Sequence, residues 1–453
     1  MPELVTAPNQ VAPPPLARDR PVPPAARKSR VPGWDLLLVC AGVYVATAVG
    51  RVHQLFPVLL SLKPVLVAGV LGIALYVLQQ AGPRSIGRLR SPTTTCLLGL
   101  LVWAGLSVPG ALHEGVAFQA WTDLVRTVVM CMVVAGSVRS VRDVERLTFV
   151  YFGVTVVYTA VVLLRFQIDT ESWRLGGLYH YDANDLATLI ASAMPLGLYF
   201  ALGRRGLVLR VLAVGALAVL AVGLIRSGSR GGFLALLAVA AFVLLGFTTL
   251  PARSRVAGLI LILAVTFTTA SDKYWAQMQT IIHPTDDYNA TEDAGRMKIW
   301  TRGLGYMAAH PLLGVGASNF QVAEGTISPL ARRQERGRGV RWGAAHNSFI
   351  QIGAELGIPG LLLFVALIAS CFAALRRVAR NALRAAEARR AAITVSRLAQ
   401  SLMAALVGFV VGAFFLSLAY ADMLYTLAAL AVALAKVELG DARTRDRLRG
   451  ARS

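Results

Sequence analysis

From residue 35 onward the chain consists of long apolar runs separated by short clusters of arginine and glycine, and that alternation admits few folds. Several runs exceed about 18 mostly apolar residues, the length a helix needs to cross the hydrocarbon core of a bilayer. Only 15% of the 453 residues are charged, where a soluble protein carries about a quarter. The surplus apolar surface must face lipid. The expected fold is an all-α polytopic membrane protein.

Twelve spans are expected, near 35–51, 62–80, 93–111, 120–138, 145–166, 185–203, 207–225, 230–250, 254–271, 347–376, 397–419 and 422–438. The connections after every second span are rich in arginine, as in "GPRSIGRLRS", "SVRSVRDVER" and "LRRVARNALRAAEARR". Together with the two termini these segments hold 29 Lys and Arg, against 16 in the opposite set, nine of which lie in one long loop. Long loops cross a membrane regardless of charge, so the short ones decide, and they put both termini in the cytoplasm. The net charge of +21 is thereby read as positive-inside bias, not as nucleic-acid binding. The expected organisation is a disordered cytoplasmic tail (1–33), nine spans (34–271), a large outer loop (272–346), three spans (347–438) and a basic cytoplasmic tail (439–453). The Pro-rich, basic start cannot build a core and shows no cleavage pattern of a removable signal. Cys40, Cys96, Cys131 and Cys371 all fall within expected spans and form no CxxC, so neither disulfides nor a thiolate metal site is expected.

This orientation puts three features outside: the turn "RSGSRGG" at 226–232, the segment "RFQIDTESWRLGGLYHYDANDLA" before the sixth span, and the loop 272–346. All six histidines, at 53, 113, 180, 283, 310 and 346, fall outside too. Two arginines in a minimal outer turn run against the positive-inside bias. Either they snorkel from a tight glycine turn or they hold an anion, which the first N–H groups of the following helix, at Gly231 and Gly232, would also attract.

Within the loop, "TEDAGRMKIWTRGLGYMAAHPLLGVG" places Met297, Trp300, Leu304 and Met307 at helical spacing, with Arg296, Lys298 and Arg302 on other faces. Glu292 and Asp293 favour a helix start and "HP" at 310–311 ends it. The helix either lies at the membrane interface or packs on other loops. The segment 331–341, with five arginines to one glutamate, is a basic flap or a solvated loop. His346 precedes a helix that Asn347 or Ser348 can cap. A helix start disfavours the imidazolium and leaves a neutral ring able to accept a proton. "GIPG" at 357–360 then bends the chain into the tenth span. Asp182, Asn184 and Asp185 open the sixth span, where they cap a helix, orient an arginine or sugar, or hold a cation. Asp422 sits in the very short outer link "AYADMLY" and is a further carboxylate at that face.

"GRMKIWTRGLGYMAAHPLLGVGASNF" and "AHNSFIQIGAELGIPGLLLF" strongly resemble the O-antigen ligase and polymerase superfamily of bacterial envelope-glycan enzymes, as do "YDANDLA" and "SGSRGGFLAL". The resemblance covers roughly residues 170–375 and does not separate ligases from repeat-unit polymerases or protein O-oligosaccharyltransferases. It implies a GT-C-like glycosyltransferase of the bacterial cytoplasmic membrane, with its active site on the outer face. Such an enzyme takes a glycan from undecaprenyl diphosphate and passes it to a hydroxyl of a glycan, a lipid A core or a protein. It requires no nucleotide cofactor and no metal. The family's essential histidine maps onto His346, and its arginines onto Arg230 and Arg296, with Arg174 less securely matched.

That chemistry suits these residue types. The diphosphate is already a good leaving group, so the protein must neutralise its growing charge and deprotonate the incoming hydroxyl. Arginine stays charged and binds phosphate oxygens through paired N–H groups. His346, Arg230 and Arg296 are the expected catalytic set. Arg174, Arg226, Gly231, Gly232, Asp182, Asn184, Asp185, Arg302, His310 and Asp422 are the expected substrate contacts. A lipid-linked-glycan flippase or other transporter is the competing class. It is disfavoured by the structured outer loop, by the lack of similar halves and by the scarcity of ionisable groups within the spans.

Overall fold

The computed structural model describes residues 33–165, 173–176, 180–203, 206–283, 292–293, 295–331, 342–384 and 389–450. The expected 1–33 tail, but for Gly33, and most of the basic segment 331–341 lie outside these residues. Among the described residues, the α-helices of seven residues or more are α1 (Leu36–Ala48), α2 (Pro64–Leu78), α3 (Pro92–Leu106), α4 (Glu114–Ser137), α5 (Val141–Arg165), α6 (Ala183–Leu202), α7 (Leu207–Ser227), α8 (Arg230–Gly246), α9 (Ala252–Thr269), α10 (Asp272–Gln279), α11 (Arg296–Ala309), α12 (Phe320–Thr326), α13 (Ser348–Arg384), α14 (Arg389–Ala413) and α15 (Asp422–Gly450). Among the described residues, nine helices are long and apolar enough to cross a membrane. Three shorter apolar helices, α1, α2 and α8, coincide with the remaining expected spans. The all-α polytopic class follows from the solvent: with no water in a bilayer to satisfy backbone groups, spanning segments close their hydrogen bonds internally.

Hydrogen bonds between distant residues sort the connections into two ends. At one end, Arg84 and Arg139 both bind Asp35, and Lys436 donates to the carbonyls of Ala135, Gly136 and Val138. At the other, Leu175 bonds to Arg226 and Leu112 to Val315, and Tyr181 bonds to Val49. The candidate site lies at this second end.

Helices α6 and α15 run through the middle of the bundle, each with 83% of its span window buried, whereas α9 has 6% buried and presents its apolar surface outward. Glycines facing α6 allow this depth. A Cβ added to Gly232 of α8 would meet Ala187 Cβ at 2.4 Å, and one on Gly412 of α14 would meet the Thr188 hydroxyl at 2.3 Å. A Cβ on Gly408 would meet the Ala191 carbonyl at 2.8 Å. Lipid gives helices no hydrophobic drive to associate, so small residues that bring backbones close supply the packing instead. They fix α6, and with it Asn184 at its first turn.

Helix α13 is two helices joined at Gly357, whose φ of 71° and ψ of −173° break the pattern as expected from "GIPG". The kink serves the preceding loop. Val315 and Gly316 donate to the carbonyls of Ala354 and Glu355, and Ile358 donates to that of Pro311. Gly314 sits at φ 66°, where an added Cβ would lie 2.3 Å from the Glu355 carbonyl carbon. The "HPLLGVGASNF" and "GAELGIPG" motifs are thus two halves of one backbone lock, joined further by Glu355, which accepts from the N–H groups of Ser318 and Phe320.

Candidate active site

The turn between α7 and α8 is closed by Gly228 at φ 58°, and Ser229 Oγ then accepts from Gly232 N at 3.1 Å to cap α8. Residues 173–176 dock onto this turn: Leu175 N donates to Arg226 O at 3.1 Å and Arg174 Nε to Ser227 O at 2.9 Å. Only glycine fits at 228, because a Cβ there would lie 2.8 Å from Arg174 Cγ and from the Trp173 ring. Arg174 Nη2 continues across to Asn184 Oδ1 at 3.1 Å. Arg230, the first residue of α8, donates through Nη1 to Thr280 Oγ1 at 2.6 Å, just past the end of α10. Arg296 opens α11, whose Trp300 donates to Ala345 O at 3.0 Å and packs edge-on against Phe414.

These pieces border a small open cleft lined by Arg174, Arg230 and Arg296 together with Asn184, Gln277, Gly228 to Gly231, and Phe415 and Leu416. Three arginines from three separate segments line it, and among the described lining residues none is a carboxylate. Cations gathered in this way raise the local positive potential, which favours a negatively charged group. Behind it, Tyr274 is buried among Trp173, Phe233 and Trp275, and burial pushes its hydroxyl pKa up to about 12.

His346 is tied to the segment that lines the cleft. Its backbone N–H donates to Ser417 Oγ at 2.9 Å, one residue beyond Leu416. Ser348 Oγ donates to Leu416 O and accepts from Leu418 N, stitching the same two segments together. Asn347 is the cap, accepting from the N–H groups of Phe349 and Ile350. His346 itself is held at φ 47°, a left-handed conformation rare for residues with a Cβ.

Several expected contacts fall elsewhere. Arg302 is turned away from the cleft into a pair with Glu324, at 2.5 Å for Nη2 and 2.8 Å for Nε. The Tyr306 hydroxyl also donates to Glu324, and the bond to Glu324 raises the Arg302 pKa further. His310 is exposed at the end of α11. The Arg226 side chain is exposed, and only its carbonyl serves the turn. Gly232 is a helix-packing glycine against Ala187, not an opening for a ligand, whereas Gly231 does line the cleft. At the start of α6, Asp182 is the cap and Asp185 completes its capping box, leaving Asn184 to hold Arg174. Asp422 is engaged with Arg51, Tyr44 and Thr127.

The buried stripe of α11 is Ile299, Gly303 and Tyr306, packed on Phe320 and Ile350. Met297 and Leu304, expected on its apolar face, are 55% and 49% exposed. The sequence reading also missed Gln277, Phe415 and Leu416 in the cleft. It missed as well the buried Glu355, which accepts from the Tyr420 hydroxyl at 2.8 Å and so braces the 415–422 segment. A carboxylate inside the apolar stretch "IGAELGIPG" was the available signal for Glu355.

Residues 215–365 match the family model described as O-Antigen ligase. The matched stretch includes Arg230, Arg296 and His346, and it supports the O-antigen ligase and polymerase superfamily for this chain. No curated protein matches it.

Proposed function

We propose, from that family match and the convergence of Arg174, Arg230 and Arg296 on one cleft, that the chain is a membrane glycosyltransferase using a polyprenyl-diphosphate-linked glycan. The donor is undecaprenyl diphosphate carrying a glycan, and transfer occurs on the outer face of the bacterial cytoplasmic membrane. The three guanidinium groups bind the diphosphate. Each charge-assisted hydrogen bond contributes roughly 1.5–3 kcal/mol, so a few of them stabilise the leaving group substantially.

In the transfer, an acceptor hydroxyl oxygen attacks the anomeric carbon and a new C–O bond forms. The bond from that carbon to the diphosphate oxygen breaks, and its electron pair leaves with undecaprenyl diphosphate. The hydroxyl proton passes to the His346 ring; the His346 backbone is bonded to Ser417, next to the cleft-lining Leu416. A single displacement inverts the anomeric configuration. Three fixed cations take the part that a divalent metal plays in many diphosphate-using enzymes, so activity is expected to survive chelation.

The single observation carrying this reading is the arginine convergence at the cleft. The test is transfer by the purified protein from undecaprenyl-diphosphate glycan, with and without EDTA, product size being read on a gel. A ladder marks a polymerase and a single shifted band a ligase. Loss of transfer on chelation would remove metal independence, and absence of any transfer would remove the function.

A further inference from the structure

A second polar cluster lies at the same end of the bundle, gathered on Asp422 at the start of α15. Arg51 Nη2 is 3.5 Å from Asp422 Oδ2. The Tyr44 hydroxyl donates to Oδ1 across 3.4 Å and the Thr127 hydroxyl across 3.2 Å. Charge-assisted bonds to a carboxylate usually run to about 2.7–2.9 Å. All three contacts are long, and the carboxylate keeps acceptor capacity.

Arg51 is held at φ 47°, a conformation that costs a side-chain-bearing residue free energy and persists where the surroundings enforce it, often at binding sites. Two buried nitrogens of this segment, Arg51 Nε and His53 Nδ1, have no hydrogen-bond partner. Polar atoms buried in this way are rare and point to a ligand or water. His180 stands exposed nearby, its neighbour Tyr181 pinned to Val49 O at 2.7 Å. Partial burial of the ring, then the charges of Arg51 and His53, hold the His180 pKa at about 4, so the ring is neutral at pH 7.

This cluster differs from the cleft in charge. Arg51 and Asp422 cancel, and His180 is uncharged, leaving a neutral surface rich in donors and acceptors. Such a surface suits sugar hydroxyls, whereas three clustered arginines suit a diphosphate. Two segments serve both places. The first carries Arg174 and Asn184 in the cleft and His180 and Tyr181 here. The second carries Phe415 and Leu416 in the cleft and Asp422 here.

We infer that Arg51, His180 and Asp422, with Tyr44 and Thr127, form the acceptor subsite, which takes the uncharged, hydroxyl-rich end of the receiving glycan. The inference rests on the reading that the arginine cleft binds the donor diphosphate. Asp422 and Arg51 orient the acceptor; the proton is taken elsewhere.

The test uses the purified full chain in detergent and two probes. One is the diphosphate-free oligosaccharide released from the host's surface polysaccharide; the other is undecaprenyl diphosphate without sugar. Saturation-transfer NMR is expected to show the oligosaccharide bound to the wild type. Arg51→Gln and Asp422→Asn should weaken that binding at least tenfold while altering undecaprenyl diphosphate binding less than twofold. Tyr44→Phe and Thr127→Val, milder changes, should weaken it by smaller factors and replace the first pair if either fails to fold. Oligosaccharide binding unchanged in all folded variants would overturn the inference, as would loss of the lipid diphosphate in parallel with it. Because binding is read without turnover, a protein that binds the oligosaccharide through Arg51 yet transfers nothing would retain the subsite and lose the transferase reading.

Discussion

Arg174 donates through Nη2 to Asn184 Oδ1 at 3.1 Å, and this one bond joins the α7–α8 turn to the first turn of α6. The guanidinium is thereby aimed across the cleft instead of into solvent. Asn184→Ala removes this bond and leaves the one from Arg174 to Ser227. A hydrogen bond to a charged group contributes roughly 1.5–3 kcal/mol, so the donor KM should rise roughly ten- to a hundredfold. Asn184→Asp should keep the arginine in place. Steady-state transfer kinetics at varied donor concentration would read this, and an unchanged KM in Asn184→Ala would remove Asn184 from the site.

Arg302 and Glu324 are 13% and 3% exposed at the side chain and bind one another. Removing one partner of a buried pair leaves an uncompensated charge, at a cost of about 3–5 kcal/mol. Glu324→Ala should therefore lower the thermal midpoint sharply, and the folded fraction should retain the wild-type donor KM. A raised KM with an unaltered midpoint would return Arg302 to the cleft.

The lock between the 310–319 loop and α13 depends on Gly314, at φ 66° with backbone in the space a side chain needs. Gly314→Ala should yield little folded protein. Gly305→Ala, in the exposed middle of α11 with nothing within 4 Å of the added carbon, should be neutral or stabilise by up to about 1 kcal/mol. Size-exclusion profiles of both variants give the comparison. Equal yields would mean that the lock does not bear on folding.

Legibility of the site followed the kind of signal each residue carries. Arg230 stood out because a cation in a short outer turn violates a membrane-wide bias, and Arg296 because it opens an amphipathic stretch. Neither signal depends on knowing the tertiary partner. The span positions were legible for a similar reason, since lipid tolerates only long apolar helices. The partners were not legible. Arg302 looked like another free cation because Glu324 lies 22 residues away, outside any helical spacing. Arg51 and Asp422 are separated by most of the chain and meet only when α1 and α15 pack. The motif "HPLLGVG" stood out as a signature, yet its glycines serve backbone contacts with α13 that only the folded chain reveals.

His180 offers a test by pH. Its pKa is lowered from the ordinary 6.5 to about 4. Its neutral form is thus favoured in the folded protein. The stability this contributes is complete above about pH 6.5 and is lost as pH falls through 4. His180→Gln should flatten the fall of the thermal midpoint over that window. An identical pH profile in the variant would show that His180 does not titrate against the Arg51 cluster.

The most direct measurement is transfer from undecaprenyl-diphosphate glycan by Arg230→Ala, Arg296→Ala and His346→Ala, each checked for folding. Arg230→Ala and Arg296→Ala should each lose at least tenfold in kcat/KM. His346→Ala should lose at least a hundredfold in kcat with donor binding retained, as removal of a general base predicts. Full activity in Arg230→Ala and His346→Ala together would contradict a diphosphate-binding cleft with His346 as its base.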